Sequence, residues 1–184
     1  RWDDVIAYEE KNPSLIKKLN AIYPRFGLNP LVAKVAKEAC RITEIKECSA
    51  WPYPNLATAK KAKSFCQLTN KKGQAVITKV LGLHCLVVDT CLTPTAKAFW
   101  QHTGLGTSSR LAAIALNQET APSRAAGQTA RTIIKQRLAK IYCCNTQNIE
   151  LHPSGMAALN RALQAITELN PKKRILQLGF PYVD

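Results

Sequence analysis

Apolar residues recur at helical spacing along much of the chain. One side of the segment 30–40 carries Leu31, Val32, Val35 and Ala36. A second strongly amphipathic segment, 130–141, presents Ile133, Ile134, Leu138 and Ile141. With the proline and glycine signals beside them, these patterns predict helices at 1–20 (broken at Pro13), 30–40, 57–66, 94–101, 110–116, 130–141 and 156–169.

Shorter apolar runs predict strands. The runs 75–78 and 83–88 lie on either side of Gly82 and indicate a small α/β unit in the middle of the chain. Two further runs, 148–151 and 174–179, bracket the last predicted helix. The order strand, turn, helix, strand predicts a βαβ unit over residues 148–180.

Two segments are predicted to be irregular. Residues 51–54 read Trp-Pro-Tyr-Pro, and two prolines that fix φ indicate a rigid extended turn. Residues 102–109 contain two glycines and three consecutive hydroxyl side chains, which is typical of a loop.

Composition narrows the class of protein. The chain has 184 residues, 46% of them hydrophobic, which suits one globular domain or one and part of another. No run of eighteen apolar residues predicts a membrane span. The net charge is +14, but the lysines and arginines come in short groups without a nucleic-acid-binding signature. A solvated basic surface is therefore favoured over nucleic-acid binding, which stays open as a less favoured alternative.

The cysteines indicate a reducing compartment. There are seven, an odd number, with no Cys-x-x-Cys spacing and two of them adjacent. This usage is typical of reduced thiols in core positions of a cytoplasmic protein. No Cys and His spacing predicts a metal site.

Chemistry is concentrated in residues 149–158, where a predicted strand ends, a Pro-Ser-Gly turn comes next and a helix begins. A helix N-terminus presents unpaired N–H groups and the positive end of the helix dipole. The Ser154 hydroxyl can donate a hydrogen bond, and Gly155 lets an anion approach the backbone. An ordinary serine N-cap followed by glycine is the alternative interpretation. We call residues 153–156 the Ser154 turn.

In its wider context, the run from Leu151 to Ala158 resembles the phosphate-binding turn of pyridoxal-phosphate enzymes of sulfur amino-acid metabolism. The upstream segments resemble the long N-terminal part of the fungal-type cystathionine gamma-synthases. The downstream segment resembles the stretch of those enzymes that comes after the first helix of the cofactor domain. These segments are residues 2–10, 23–26, 97–110 and 179–184. The middle of the chain, 40–95, resembles that family only loosely.

The resemblance implies an α/β fold, namely the N-terminal portion of a fold-type I pyridoxal-phosphate-dependent transferase (aspartate-aminotransferase-like), incomplete in this chain. It implies a helical arm and small α/β region over residues 1–100, and the start of the cofactor-binding large domain over residues 101–184. The cofactor would be pyridoxal 5'-phosphate.

The same resemblance implies site residues. Ser154, Gly155 and Met156 would hold the cofactor phosphate. Ser109 and Arg110 are similar to a Ser-Arg pair that reaches a phosphate in the neighbouring subunit, and Tyr182 is similar to the aromatic residue that stacks on the pyridine ring. The alternatives are that Arg110 is simply solvated, and that Tyr182 is a packed loop aromatic.

The implied reaction is γ-replacement on an O-acylhomoserine with cysteine, a step of transsulfuration and methionine biosynthesis. A γ- or β-lyase of the same family, or a non-catalytic remnant, remains an alternative. In the family the Schiff-base lysine lies downstream of the Tyr182 position, so this chain holds no catalytic residue and is expected to be inactive alone. The implied partners are amino-acid substrates and further copies of the protein, with active sites shared between subunits.

Overall fold

A computed structural model describes residues 1–10, 12–16, 18–19, 22, 27–176 and 178–179. Its helices are α1 (Trp2–Glu9), α2 (Pro13–Ile16), α3 (Pro30–Arg41), α4 (Leu56–Thr69), α5 (Thr93–Thr103), α6 (Ser109–Ala115), α7 (Arg124–Ile141) and α8 (Gly155–Leu169). Its strands are β1 (Cys48–Tyr53), β2 (Ala75–Val80) and β3 (Leu83–Asp89). Short 3-10 helices lie at Thr90–Leu92 and Thr146–Asn148.

The three strands form one antiparallel sheet in the order β1-β3-β2. The β2–β3 hairpin has a two-residue loop in which Leu81 and Gly82 both take positive φ, the geometry of a type I′ turn. The two strands predicted at 75–78 and 83–88 are confirmed, and each is slightly longer than predicted. The predicted turn at 51–54 is wrong for most of its length, because β1 runs through Tyr53.

The proline in β1 is compatible with a strand because β1 is an edge of this sheet. Pro52 lies opposite Cys85 of β3, and β1 pairs with no other described strand. Since an edge strand needs its N–H groups only on one side, a proline is tolerated there.

Helices cover both faces of the sheet. On one face, α3 and α6 pack Val32, Val35 and Ala112 against Cys85 and Val87 of β3. On the other, α4 and α5 pack around Leu86 and Val88, and the aromatic members of that cluster are Trp51, Tyr53, Phe99 and Trp100. Because β3 is buried on both faces, it reads as a continuous apolar run rather than an alternating one.

The loop after α5 is fixed to this core. The Thr107 N–H donates to the Pro52 carbonyl at 3.0 Å, which ties the loop to the edge strand. Gly106 lies directly against the Trp100 indole, and the Ser108 hydroxyl caps α6 by accepting from the Leu111 N–H at 3.2 Å. The predicted loop at 102–109 is therefore shorter and more ordered than its composition indicates.

The predicted βαβ unit at 148–180 is wrong for the described residues. Residues 149–153, 174–176 and 178–179 contain no strand, although α8 itself is present. A strand forms only when its N–H and C=O groups find a neighbouring strand. The described sheet ends at Asp89, and no described strand lies beside either segment.

Candidate cofactor-binding site

The Ser154 turn opens α8 with a hydrogen-bonded N-cap. Ser154 has an extended backbone, and its Oγ accepts from the Ala157 N–H at 3.1 Å. The same hydroxyl donates to the Gly104 carbonyl at 3.4 Å. The hydroxyl is thus oriented from two sides, by its own helix and by the end of α5.

The donors of this turn suit a phosphate. The backbone N–H groups of Gly155 and Met156 have no hydrogen-bond partner within the described part of the chain. A Cβ at Gly155 would meet no atom within 4 Å, so the approach to these amides is open. With the Ser154 hydroxyl, two free amides at the positive end of a 15-residue helix form a donor set that fits a phosphate dianion.

Gly104 is the residue of this site that sequence reasoning missed. It ends α5 in the left-handed conformation, with φ at +63°. A Cβ there would lie 2.7 Å from the Ala157 nitrogen and from the Ser154 Oγ, so the Ser154 turn occupies the space of a side chain. A glycine straight after the last helical residue is a known end-of-helix signal, but the signal says nothing about what packs there.

Ser109 and Arg110 lie in the first turn of α6, just after the Ser108 N-cap. Both side chains are exposed, and neither has a hydrogen bond or ion pair within the described residues. The structure therefore presents Arg110 as an uncompensated cation at the surface. No hydrogen bond within the described residues joins it to the Ser154 turn.

Tyr182, the expected stacking residue, lies outside the described residues, and its role stays a prediction. The segment 23–26, which carries part of the family resemblance, also lies outside them. His152, which precedes the turn, lies 3.5 Å from Glu150 through Nε2 and Oε2.

The buried thiols are not activated nucleophiles. All seven cysteines are free. Burial raises the pKa of Cys66 to about 11 and that of Cys85 to about 12, so both stay protonated at neutral pH.

Among the described residues, no group of three His, Cys, Asp or Glu side chains is placed to hold a metal ion. No described helix has the length and apolar character that a membrane span requires.

Comparison with known proteins finds a family similarity in the central part of the chain. Residues 31–108 match the sequence profile described as the fungal trans-sulfuration enzyme N-terminal domain. This confirms the resemblance, and it corrects one aspect of it. The matched segment includes the whole of the middle, 40–95, which resembled the family only loosely by sequence, and it coincides with the sheet and α3–α5.

Two curated relatives are similar to the chain over part of their own length. A cystathionine gamma-synthase of Saccharomyces cerevisiae is 24% identical over 136 residues, which cover 64% of this chain and 21% of the yeast protein. An L-2-amino-4-chloropent-4-enoate dechlorinase/desaturase of Streptantibioticus cattleyicolor is 25% identical over 189 residues, 98% of this chain and 37% of that enzyme. The chain thus spans between about a fifth and two fifths of these relatives. No solved structure matches it.

Proposed function

From the premise that residues 31–108 carry the N-terminal domain of the fungal trans-sulfuration enzymes, we propose that the chain is the N-terminal part of a pyridoxal-phosphate-dependent cystathionine gamma-synthase. The observation that carries the proposal is the match of that profile to the sheet and the helices packed on it. The reaction would be γ-replacement on an O-acylhomoserine by cysteine, in the cytoplasm. The large domain, of fold type I, would begin near residue 101.

The residues of this chain would bind the cofactor rather than move protons. The amides of Gly155 and Met156 and the hydroxyl of Ser154 would hold the phosphate. When bound, pyridoxal phosphate supplies an electron sink for carbanions of the amino-acid substrate. Arg110 would reach the phosphate of a neighbouring subunit, since its guanidinium has no partner within the described residues of its own. The lysine that attaches the cofactor would lie beyond residue 184, and these 184 residues alone would be inactive.

A lyase is the second candidate. The relative that aligns with 98% of the chain carries the name dechlorinase/desaturase, which describes removal of a substituent rather than its replacement by cysteine. A γ- or β-lyase would use the same phosphate-binding residues. The two candidate enzymes therefore differ in the product they form and not in the phosphate-binding residues that this chain would contribute.

The test uses the full-length protein encoded by the gene from which the chain comes. We expect it to bind pyridoxal phosphate, to be inactivated by borohydride, and to form cystathionine from O-acylhomoserine and cysteine. Formation of a 2-oxo acid and ammonia without incorporation of cysteine would instead support the lyase. Absence of cofactor binding would refute both.

A matched pair of variants assigns the phosphate role. Ser154 and Ser123 cap α8 and α7 in the same way, each accepting an N–H three residues on at 3.1 Å. Replacing either by Ala removes a cap of about 1 kcal/mol. Only Ser154→Ala is expected to raise the Kd for pyridoxal phosphate, by about tenfold. An equal Kd for the two variants would exclude Ser154 from the phosphate site.

A further inference from the structure

Gly104 and the Ser154 turn are so close together that no residue with a Cβ fits at position 104. A Cβ on Gly104 would lie 2.7 Å from the Ala157 nitrogen, 2.7 Å from the Ser154 Oγ and 2.8 Å from the Met156 Cβ. All three atoms belong to the start of α8. One of the two nearest atoms is a backbone nitrogen, so a change of side-chain rotamer cannot remove the overlap.

The contact is also polar. The Ser154 hydroxyl donates to the Gly104 carbonyl at 3.4 Å, a long bond that holds the proton weakly. Its oxygen accepts from the Ala157 N–H at 3.1 Å. The hydroxyl is oriented toward the end of α5 while its proton stays available to a stronger acceptor, such as a phosphate oxygen.

The contact joins two parts of the chain that lie far apart in the sequence. Gly104 lies inside the segment 31–108 that matches the trans-sulfuration N-terminal domain, and Ser154 lies fifty residues later, outside it. Gly104 is itself held in place, because the loop after it is tied to β1 through the bond from the Thr107 N–H to the Pro52 carbonyl.

We propose that Gly104 is a positioning residue for the cofactor phosphate: it seats the Ser154 turn against the end of α5 and so sets where the amides of Gly155 and Met156 point. The inference rests on the proposed function. Any side chain at position 104 would displace these donors from the rest of the site, and binding sites lose function when their groups are misplaced by about 1 Å.

Gly82 provides the matched control. It has a similar positive φ, +80°, but a Cβ there would meet no atom within 4 Å. Ala at either position therefore incurs the same backbone strain, of about 1 kcal/mol. Only Ala at position 104 also collides with the Ser154 turn.

The experiment titrates the full-length apoprotein and its variants with pyridoxal phosphate and measures the Kd. We expect Gly104→Ala to raise the Kd about tenfold or more, and Gly82→Ala to leave it within about twofold. Equal Kd values for the two variants would overturn the inference. If Gly104→Ala does not fold, Gly104→Asn takes its place, because Asn tolerates the left-handed conformation and still carries a Cβ.

Hydrogen exchange separates this inference from the proposed function. We expect the amides of Ala157 and Ala158, which donate to the Ser154 Oγ at 3.1 Å and to the Ser154 carbonyl at 3.0 Å, to exchange faster in Gly104→Ala than in Gly82→Ala, with no cofactor present. If wild type binds no pyridoxal phosphate but this difference appears, the proposed function fails and Gly104 still positions the turn. If wild type binds the cofactor and neither the Kd nor the exchange responds to Gly104→Ala, the inference is wrong and the proposed function stands.

Discussion

At the residue scale, Asp89 illustrates how one carboxylate connects several elements. Its oxygens accept from the Gln74 N–H at 2.7 Å, the Leu92 N–H at 3.1 Å and the Cys91 thiol at 3.0 Å. These bonds join the start of β2, the end of β3 and the 3-10 turn that leads into α5. The bond from Cys91, followed by the one from Gln74, holds the pKa of Asp89 below its usual range.

We expect Asp89→Asn to lower the free energy of unfolding by about 1 kcal/mol at neutral pH, since the amide can replace only part of these bonds. A carboxyl whose folded pKa is depressed contributes stability above its unfolded pKa and loses it as the pH falls through the folded pKa. The difference between wild type and variant should therefore shrink below about pH 4. Urea unfolding of the full-length protein over the acid range measures it.

Glu38→Gln is the control for this prediction. Its carboxylate pairs with Arg41 at 2.6 Å, which also lowers the pKa of Glu38, but the pair is exposed and contributes little. A difference between wild type and Asp89→Asn that does not change with pH would show that the carboxylate charge is not what stabilises the fold.

The sequence predicts some residues of the candidate site and not others, for a physical reason. The roles of Ser154 and Gly155 are predictable because a helix N-cap and the unbonded amides that come after it depend only on residues next to one another in sequence. The role of Gly104 depends on a contact with a turn fifty residues away, which no local pattern encodes. The prediction that the cysteines fill core positions is also right for some residues only: Cys66 and Cys85 are buried, whereas Cys91 and Cys143 are exposed.

At the scale of elements, local signals predict helices better than strands. The helix α3 begins at Pro30 after an Asn29 cap, as the proline and the apolar spacing indicate. The sequence does not predict strand β1, because Pro52 argues against a strand unless that strand is at the edge of a sheet. Only the structure shows that β1 is an edge strand. The strands expected around α8 fail for a related reason, since a strand depends on a partner elsewhere in the chain.

Two glycines test how elements tolerate the same substitution. A Cβ at Gly106 would overlap the Trp100 indole, which is buried and packs on Trp51 at 5.8 Å between ring centroids. We expect Gly106→Ala to destabilise the protein by about 1–3 kcal/mol. At Gly127, within α7, a Cβ would meet nothing within 4 Å, and Ala should stabilise by about 0.5–1 kcal/mol. Denaturant unfolding of both variants checks the prediction, and the same sign for both would contradict the packing described for Trp100.

At the scale of the whole molecule, packing is uneven along the chain. The sheet and helices α3–α6 bury two apolar clusters. Further along, α7 and α8 expose large apolar side chains, among them Ile133, Ile141, Leu159 and Ile166. The Ser154 turn and Arg110 lie at the starts of α8 and α6, where the amides of Gly155 and Met156 and the Arg110 guanidinium have no hydrogen-bond partner within the described residues. A phosphate site shared between subunits would use both.

Subunit mixing tests whether Arg110 and the Ser154 turn serve the same site from different copies. Arg110→Ala removes the guanidinium, and Gly155→Asp places a carboxylate where the phosphate would bind, in space that is open. Each full-length variant alone should lose most of its activity. In a mixed dimer, one site would combine an intact Ser154 turn from the Arg110→Ala subunit with an intact Arg110 from the other. Statistical mixing of dimers should therefore restore about a quarter of wild-type activity.

A protein that carries both substitutions, mixed with either single variant, serves as the control and should recover none. If the single variants fail to complement each other while they do exchange subunits, then Arg110 acts within its own subunit or not on the phosphate at all.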